Sequence, residues 1–239
     1  MRGFRDPSCA TCVMREHSIC ASLEGEQLDL VEHVRSPDQA VKRGAVLLAE
    51  GSTLRQYLTV RQGWVMTYST LPDGRRQIHA FETRGALLGR IYGADEPSPY
   101  AIEALTDVSL CILPAAAAHK LFLQMPEMAV DLARSASRNQ ELAYAQLMSL
   151  GRRSAHERIA YLLLGLWQKA HVAAARVQAS EVVSIPLTQQ HIADALGLTS
   201  VHVSRVLKDL RTRGLVRLHN HQLEILDRER LQAVAAGEA

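Results

Sequence analysis

Residues 186–210 read Pro-Leu-Thr-Gln-Gln-His-Ile-Ala-Asp-Ala-Leu-Gly-Leu-Thr-Ser-Val-His-Val-Ser-Arg-Val-Leu-Lys-Asp-Leu. The stretch predicts a helix, a tight turn and a second helix. Thr188 is placed to cap the first helix, Gly197 supplies the left-handed turn, and Thr199 caps the second. Ile192, Ala193, Leu196, Leu198, Val203, Val206, Leu207 and Leu210 form apolar faces that lock the pair together. Ser200, Val201, His202, Ser204, Arg205 and Lys208 are left on the outer side of the second helix. All but Val201 can hydrogen-bond bases or phosphates. An ordinary helical hairpin does not explain capped, polar residues directed outward, whereas a helix-turn-helix that offers its second helix to a DNA major groove does.

The flanking sequence completes this reading. Downstream, Leu215-Val-Arg-Leu, His219-Asn-His and Gln222-Leu-Glu-Ile-Leu predict a hairpin wing. Residues 200–220 carry five Lys or Arg and one acid, Asp209, although the whole chain has a net charge of only +2, so the basic patch is local. Upstream, the segment from His171 to Ser184 reads as a loop or linker. Residues 126–170 contain no proline after Pro126 and show helical spacing, interrupted near Gly151. Within that span Leu132, Ala136, Asn139, Ala143, Leu147 and Leu150 step by three or four, a seam suited to pairing two long helices. Leu142 and Ala145 lie off the seam and are available for packing on the chain's own body. From Val41 to Leu113 short apolar runs alternate with Gly44, Gly51, Gly63, Pro72-Asp-Gly74, Gly85 and Gly89, as in an antiparallel barrel or jelly roll. The expected fold is therefore α+β, with a β jelly roll, a long helix and a C-terminal winged helix-turn-helix. Expected boundaries are a cysteine-rich segment at 1–25, the jelly roll at 26–125, the long helix at 126–152 and the DNA-binding domain at 153–239.

Composition narrows the class. With 239 residues, 47% hydrophobic and 22% charged, the chain has the make-up of a folded protein with substantial cores. Its longest apolar run, Tyr161 to Trp167, is broken by Gly165 and falls far short of a membrane span. The N-terminus has no apolar signal core, so a cytoplasmic protein is expected. No nucleophile elbow, phosphate loop or metalloprotease helix is present, and an enzyme is not expected.

Cys9, Cys12 and Cys20 crowd one short polar stretch, while Cys111 stands alone in an apolar, strand-like run. Disulfides are disfavoured in a reducing compartment. Cys111 by itself reads as a small buried hydrophobe, but three thiols in a polar stretch read as ligands of a soft metal centre. Two metals fit that pattern. Zinc would take Cys9, Cys12, His17 and Cys20. An iron–sulfur cluster would take the three local thiolates and a fourth, for which Cys111 is the candidate.

A cysteine-fronted jelly roll, one long helix and a winged helix-turn-helix together resemble the CRP/FNR family of bacterial transcription regulators, over essentially the whole chain. The Cys-x2-Cys-x7-Cys spacing and the Leu110-Cys-Ile-Leu-Pro stretch look most like the FNR branch, oxygen sensors that hold a [4Fe–4S] cluster. The resemblance implies Cys9, Cys12, Cys20 and Cys111 as ligands. It also implies a long dimerisation helix at 126–152, a homodimer on pseudo-palindromic double-stranded DNA, and RNA polymerase as a partner. The family's cyclic-nucleotide branch uses a Gly-Glu pair and an Arg-Ser pair. Here Arg90 stands at the Glu position of Leu87-Leu-Gly-Arg-Ile-Tyr-Gly, and Pro97-Ser-Pro-Tyr-Ala offers no Arg-Ser, so no cyclic nucleotide is expected. Ser204 and Arg205 match the family's Ser-Arg pair, while Val201 replaces a Glu that reads cytosine. Ala145 stands where the oxygen sensors carry an acid that opposes dimer formation. The rival within the same scaffold is a sensor of a small molecule or haem, its cysteines incidental or zinc-binding.

Overall fold

The structure is a computed structural model that describes residues 8–89, 96–174 and 182–238. Arg90 and the rest of 90–95 lie outside the described residues, as do 175–181 of the expected linker. After short 3-10 turns at Cys9–Thr11 and Arg15–His17, helix α1 spans Glu26–Val34. The strands that follow are β1 (Ser36–Val41), β2 (Val46–Leu48), β3 (Gln56–Gln62), β4 (Val65–Thr70), β5 (Arg76–Glu82), β6 (Leu87–Leu88), β7 (Ala101–Ala104) and β8 (Val108–Pro114). They form sheets of order β1-β8-β3-β6 and β2-β7-β4-β5, the antiparallel jelly roll expected from the turn spacing. Helices α2 (Ala115–Gln124), α3 (Pro126–Arg152) and α4 (Ala155–Ala174) come next. Strand β9 (Val182–Ser184), α5 (Gln189–Leu196), α6 (Ser200–Thr212), β10 (Val216–His219), β11 (Gln222–Ile225) and α7 (Arg228–Ala236) complete the chain.

Packing divides the chain into two compact units, Met1–Val65 with Glu82–Gln140, and Met66–Phe81 with Glu141–Ala239. The first holds two cores, because alternate residues of β3 and β8 face opposite ways. Leu58, Val60, Leu110 and Ile112 point into the barrel with Val65 and Ile102. Tyr57 and Leu113 point the other way, into a core with Ile19, Leu23, Leu28 and Val31, closed by Met125, Met128 and Leu132. Cys111, between Leu110 and Ile112, therefore faces away from the barrel core, on the same side as Leu113. At Gly85 (φ +86°), a Cβ would sit 2.6 Å from that of His17, so only glycine lets the cysteine segment lie this close to the barrel.

In the second unit the β4–β5 hairpin packs with the C-terminal elements, so residues 66–81 group with the DNA-binding end although they are embedded in the jelly-roll sequence. The expected pause near Gly151 is the α3–α4 junction. There the Ser154 N–H donates to the Glu157 carboxylate at 3.2 Å and the Glu157 N–H to Ser154 Oγ at 3.4 Å, and α4 then runs to Ala174 rather than stopping at Lys169. Val182–Ser184, expected as loop, is instead the third strand of the wing, paired with β11.

Along α3, Ala136, Asn139, Ala143 and Leu147 of the expected seam are exposed, and Leu150 is half-buried. Leu132 departs from the seam. It is buried in the core against Met128, because the first turns of α3 cover the N-terminal segment. Leu142, expected to pack inward, is 47% exposed, so with Tyr144, Leu147 and Met148 it widens the apolar face.

Candidate functional site

Two arrangements carry chemistry. In the first unit, Cys9, Cys12 and Cys20 from the N-terminal segment and Cys111 from β8 line one pocket. The pocket opens to solvent and is otherwise walled by Met14, Ile19, Leu28, Val31, Thr59 and Leu113, with Arg15, Ser18, Arg35 and Arg61. Thr59 and Cys111 are direct partners in the β3–β8 ladder, so both present their side chains to this pocket.

The segment is anchored at both ends. Glu32 Oε2 on α1 accepts from Ser8 Oγ at 2.9 Å and from the Cys9 N–H at 2.8 Å, and these bonds, the Cys9 amide first, hold its carboxyl below the usual range. Asp131 on α3, 7% exposed, accepts from the Ser22 N–H at 2.8 Å and from Ser22 Oγ at 2.9 Å. Burial, reinforced by the neighbouring thiols, pushes Cys20 up to about 12. Burial, reinforced by Asp38 and opposed by Arg35, pushes Cys111 up to about 12. Cys9 is raised by burial as well. Without metal these thiols hold their protons at neutral pH, and a soft cation that binds them must displace those protons.

A single zinc ion needs sulfurs roughly 3.8 Å apart, from Zn–S bonds of about 2.3 Å in tetrahedral geometry. Among the described residues no three His, Cys, Asp or Glu are disposed to hold one ion, and His17 is absent from the pocket lining. Four thiols lining one apolar, partly shielded pocket are a donor set whose chemistry suits a soft metal centre such as an iron–sulfur cluster.

In the second unit the helix-turn-helix forms as expected. Thr188 Oγ1 accepts from the His191 N–H at 3.1 Å, and His191 Nδ1 in turn accepts from the Thr188 N–H at 3.3 Å. Thr199 Oγ1 accepts from the His202 N–H at 3.2 Å. Gly197 turns the chain at φ +63°. Val203, Val206 and Leu210 are buried, while Val201, His202, Ser204, Arg205 and Lys208 are exposed along one outer face and Ser200 is half-exposed.

Side chains that no local pattern announced hold the end of α5, where backbone carbonyls have no helical partner. Gln77 and Gln146 both donate to the Ala195 carbonyl, at 3.1 and 3.0 Å, and Arg158 donates to that of Leu196 at 3.1 Å. Arg76 Nε and Nη2 grip Asp194 at 3.0 and 2.9 Å. All four contacts span tens of residues in sequence, so no motif reveals them.

Comparison with known proteins agrees with both units. A model of the cyclic nucleotide-binding domain matches residues 38–125, and one of the Crp-like helix-turn-helix domain matches 157–234. The chain is 32% identical to the nitrogen fixation regulation protein FixK of Bradyrhizobium diazoefficiens, covering 95% of this chain and 94% of that one. It is also 32% identical to the transcriptional activatory protein AadR of Rhodopseudomonas palustris, covering 98% and 95%. The solved structure of FixK2 from Bradyrhizobium japonicum superposes with a TM-score of 0.75 at 27% identity, over 84% of this chain and 97% of the other. These relatives are regulators, not enzymes, and among the described residues no helix is long and apolar enough to cross a membrane. A cyclic-nucleotide-binding-type barrel, a long helix and a Crp-like helix-turn-helix in one chain, matched end to end by such relatives, make this chain a member of the CRP/FNR family of DNA-binding transcription regulators.

Proposed function

We propose that this chain works in the cytoplasm as a homodimeric regulator that responds to oxygen or redox state through a [4Fe–4S] cluster held by Cys9, Cys12, Cys20 and Cys111. One observation carries the reading: three thiols from one end of the chain and a fourth from β8 line a single pocket. When bound, the cluster supplies an oxygen-labile tie between the N-terminal segment and the barrel.

The chain's own residues then relay the state of that tie. Asp131 fastens Ser22 to α3, and Ile19 and Leu23 share a core with Met128 and Leu132 of the same helix. A segment fixed to β8 is thereby fixed against the start of α3. Beyond that start, α3 exposes Ala136, Ala143 and Leu147 with the polar Asn139 along one seam, suited to a second copy. Pairing there sets two α6 helices one DNA turn apart, about 34 Å, for a pseudo-palindromic site beside RNA polymerase. Release of the segment weakens the dimerising arrangement by shifting an equilibrium between two states. The barrel, lacking the Arg-Ser pair, binds no cyclic nucleotide on this reading, and a calorimetric titration showing saturable micromolar cyclic AMP binding would contradict it.

Iron and sulfide analysis of protein prepared without air tests the cluster. About four of each per chain are expected, lost equally in Cys111→Ser and Cys12→Ser and kept in His17→Ala. Full iron in Cys111→Ser with loss in Cys12→Ser sinks the bridging set. Zinc that vanishes with His17→Ala establishes the rival reading.

A further inference from the structure

Beside the thiols stands a group of buried charges that are not themselves ligands. Arg35 Nη1 lies 2.9 Å from Asp38 Oδ1, and Arg61 Nη1 lies 2.8 Å from Asp38 Oδ2. Their side chains are 5%, 10% and 11% exposed for Arg35, Arg61 and Asp38. Both arginines line the cysteine pocket, and Asp38, paired with both, acts on Cys111 more strongly than either of them.

The backbone is irregular at the places that put them there. The β1–β8 register slips between Ser36 and Gln39, the interval that holds Asp38, and the β3–β8 register slips between Val60 and Gln62, at Arg61. Such irregularities re-aim side chains, and here both flank the strand that carries Cys111. Two guanidiniums in a poorly solvated wall are costly to bury unless anions face them, and Asp38 and, beside Arg35, Glu32 supply part of that charge. Glu32 lies at the rim, where it accepts from the Cys9 amide and also interacts with Arg35. Four metal-bound thiolates would add to that anionic charge.

We propose that Arg35 and Arg61, positioned by Asp38, form a cationic wall that sets how tightly the pocket holds its thiolate-ligated cluster and at what potential that cluster exchanges an electron. The inference rests on the iron–sulfur reading. Its sign is testable because the triad carries both charges. Removing a positive charge disfavours the more negative, reduced cluster and loosens the anionic guest, while removing the carboxylate does the reverse.

The experiment uses the full-length, cluster-loaded protein under argon and compares wild type with Arg61→Gln, Arg61→Lys and Asp38→Asn. The readouts are iron release to a chelator and the midpoint potential from a mediated titration. Arg61→Gln should release iron several-fold faster and shift the potential downward. Asp38→Asn should release it more slowly and shift the potential upward, and Arg61→Lys should stay near wild type. A tenfold change in the preference for one oxidation state is about 59 mV for one electron. A merely structural role makes every variant release iron faster and leaves the potential in place. That result, or shifts of one sign in Arg61→Gln and Asp38→Asn, overturns the proposal while leaving the cluster intact. Wild-type protein that takes up no iron overturns the cluster reading itself, and this proposal with it.

Discussion

Replacing Asp131 by alanine should free the cysteine segment without unfolding the barrel, and the size of the effect follows from the local geometry. The carboxylate is buried and accepts two hydrogen bonds from Ser22, at 2.8 and 2.9 Å. Its third contact, Arg134 at 3.1 Å, has a side chain 67% exposed and adds little. Hydrogen bonds to a charged group contribute about 1.5–3 kcal/mol each, but Ser22 is exposed, so water replaces part of what is lost. A net cost of about 2–3 kcal/mol is expected, which multiplies the open population of the segment roughly 30- to 150-fold. Ser22→Ala keeps the backbone bond and should cost about half as much. Hydrogen exchange on metal-free protein measures this directly, with peptides from 9–24 as the reporter and β3 (Gln56–Gln62) as the internal reference. Segment protection should fall while β3 protection holds, and adding Ser22→Ala to Asp131→Ala should change nothing further. Equal losses in both regions would show global destabilisation. Unchanged segment exchange would show that Asp131 anchors nothing.

Gly85→Ala places a methyl 2.6 Å from His17 Cβ at a φ of +86°, so it should cost about 1–3 kcal/mol in thermal unfolding and also lower iron retention without touching a ligand. In the wing, the two turn residues have positive φ, 47° at Asn220 and 61° at His221; His221→Gly should raise stability by about 0.5–1 kcal/mol, seen as a higher melting temperature. Thr199→Ala removes the α6 cap and should destabilise the protein by about 1 kcal/mol in a denaturant titration, with DNA affinity falling in step.

What was legible in the sequence was legible because it is local. The caps at Thr188 and Thr199, the glycine turn and the apolar spacing of Ile192 to Leu210 lie within one window, and the structure reproduces each. The thiols were legible as a group because three are neighbours, and the outward face of Cys111 follows from strand alternation between Leu110 and Ile112. The charges behind them were not. Arg35, Asp38 and Arg61 meet only because two strands slip register against β8, and nothing in a run such as Ser36-Pro-Asp-Gln announces an irregularity. The same holds for β9, too short for alternation to show, and for Leu132, whose spacing serves a dimer seam and an internal core equally well.

Arg205 shows how far the exposed face of α6 can be carried toward a DNA sequence. It lies on an outer face with Val201, His202, Ser204 and Lys208, and the buried Val203, Val206 and Leu210 fix which way that face points. Its guanidinium matches the paired O6 and N7 acceptors of guanine, a contact that discriminates by about 1–3 kcal/mol. Arg205→Ala should therefore weaken specific binding about ten- to a hundredfold and relax one guanine per half-site. Lys208 is a point charge suited to phosphate, so Lys208→Ala should weaken all sequences alike and flatten the salt dependence. Val201, 59% exposed, has no acceptor to offer a cytosine amine, whereas its methyls can meet a thymine methyl. Val201→Glu should move the preference at that base pair toward C·G. Selection from randomised half-sites measures the three variants side by side. A wild type that already demands cytosine there, or an Arg205→Ala variant that selects an unchanged sequence, would show that α6 enters the groove with some other face.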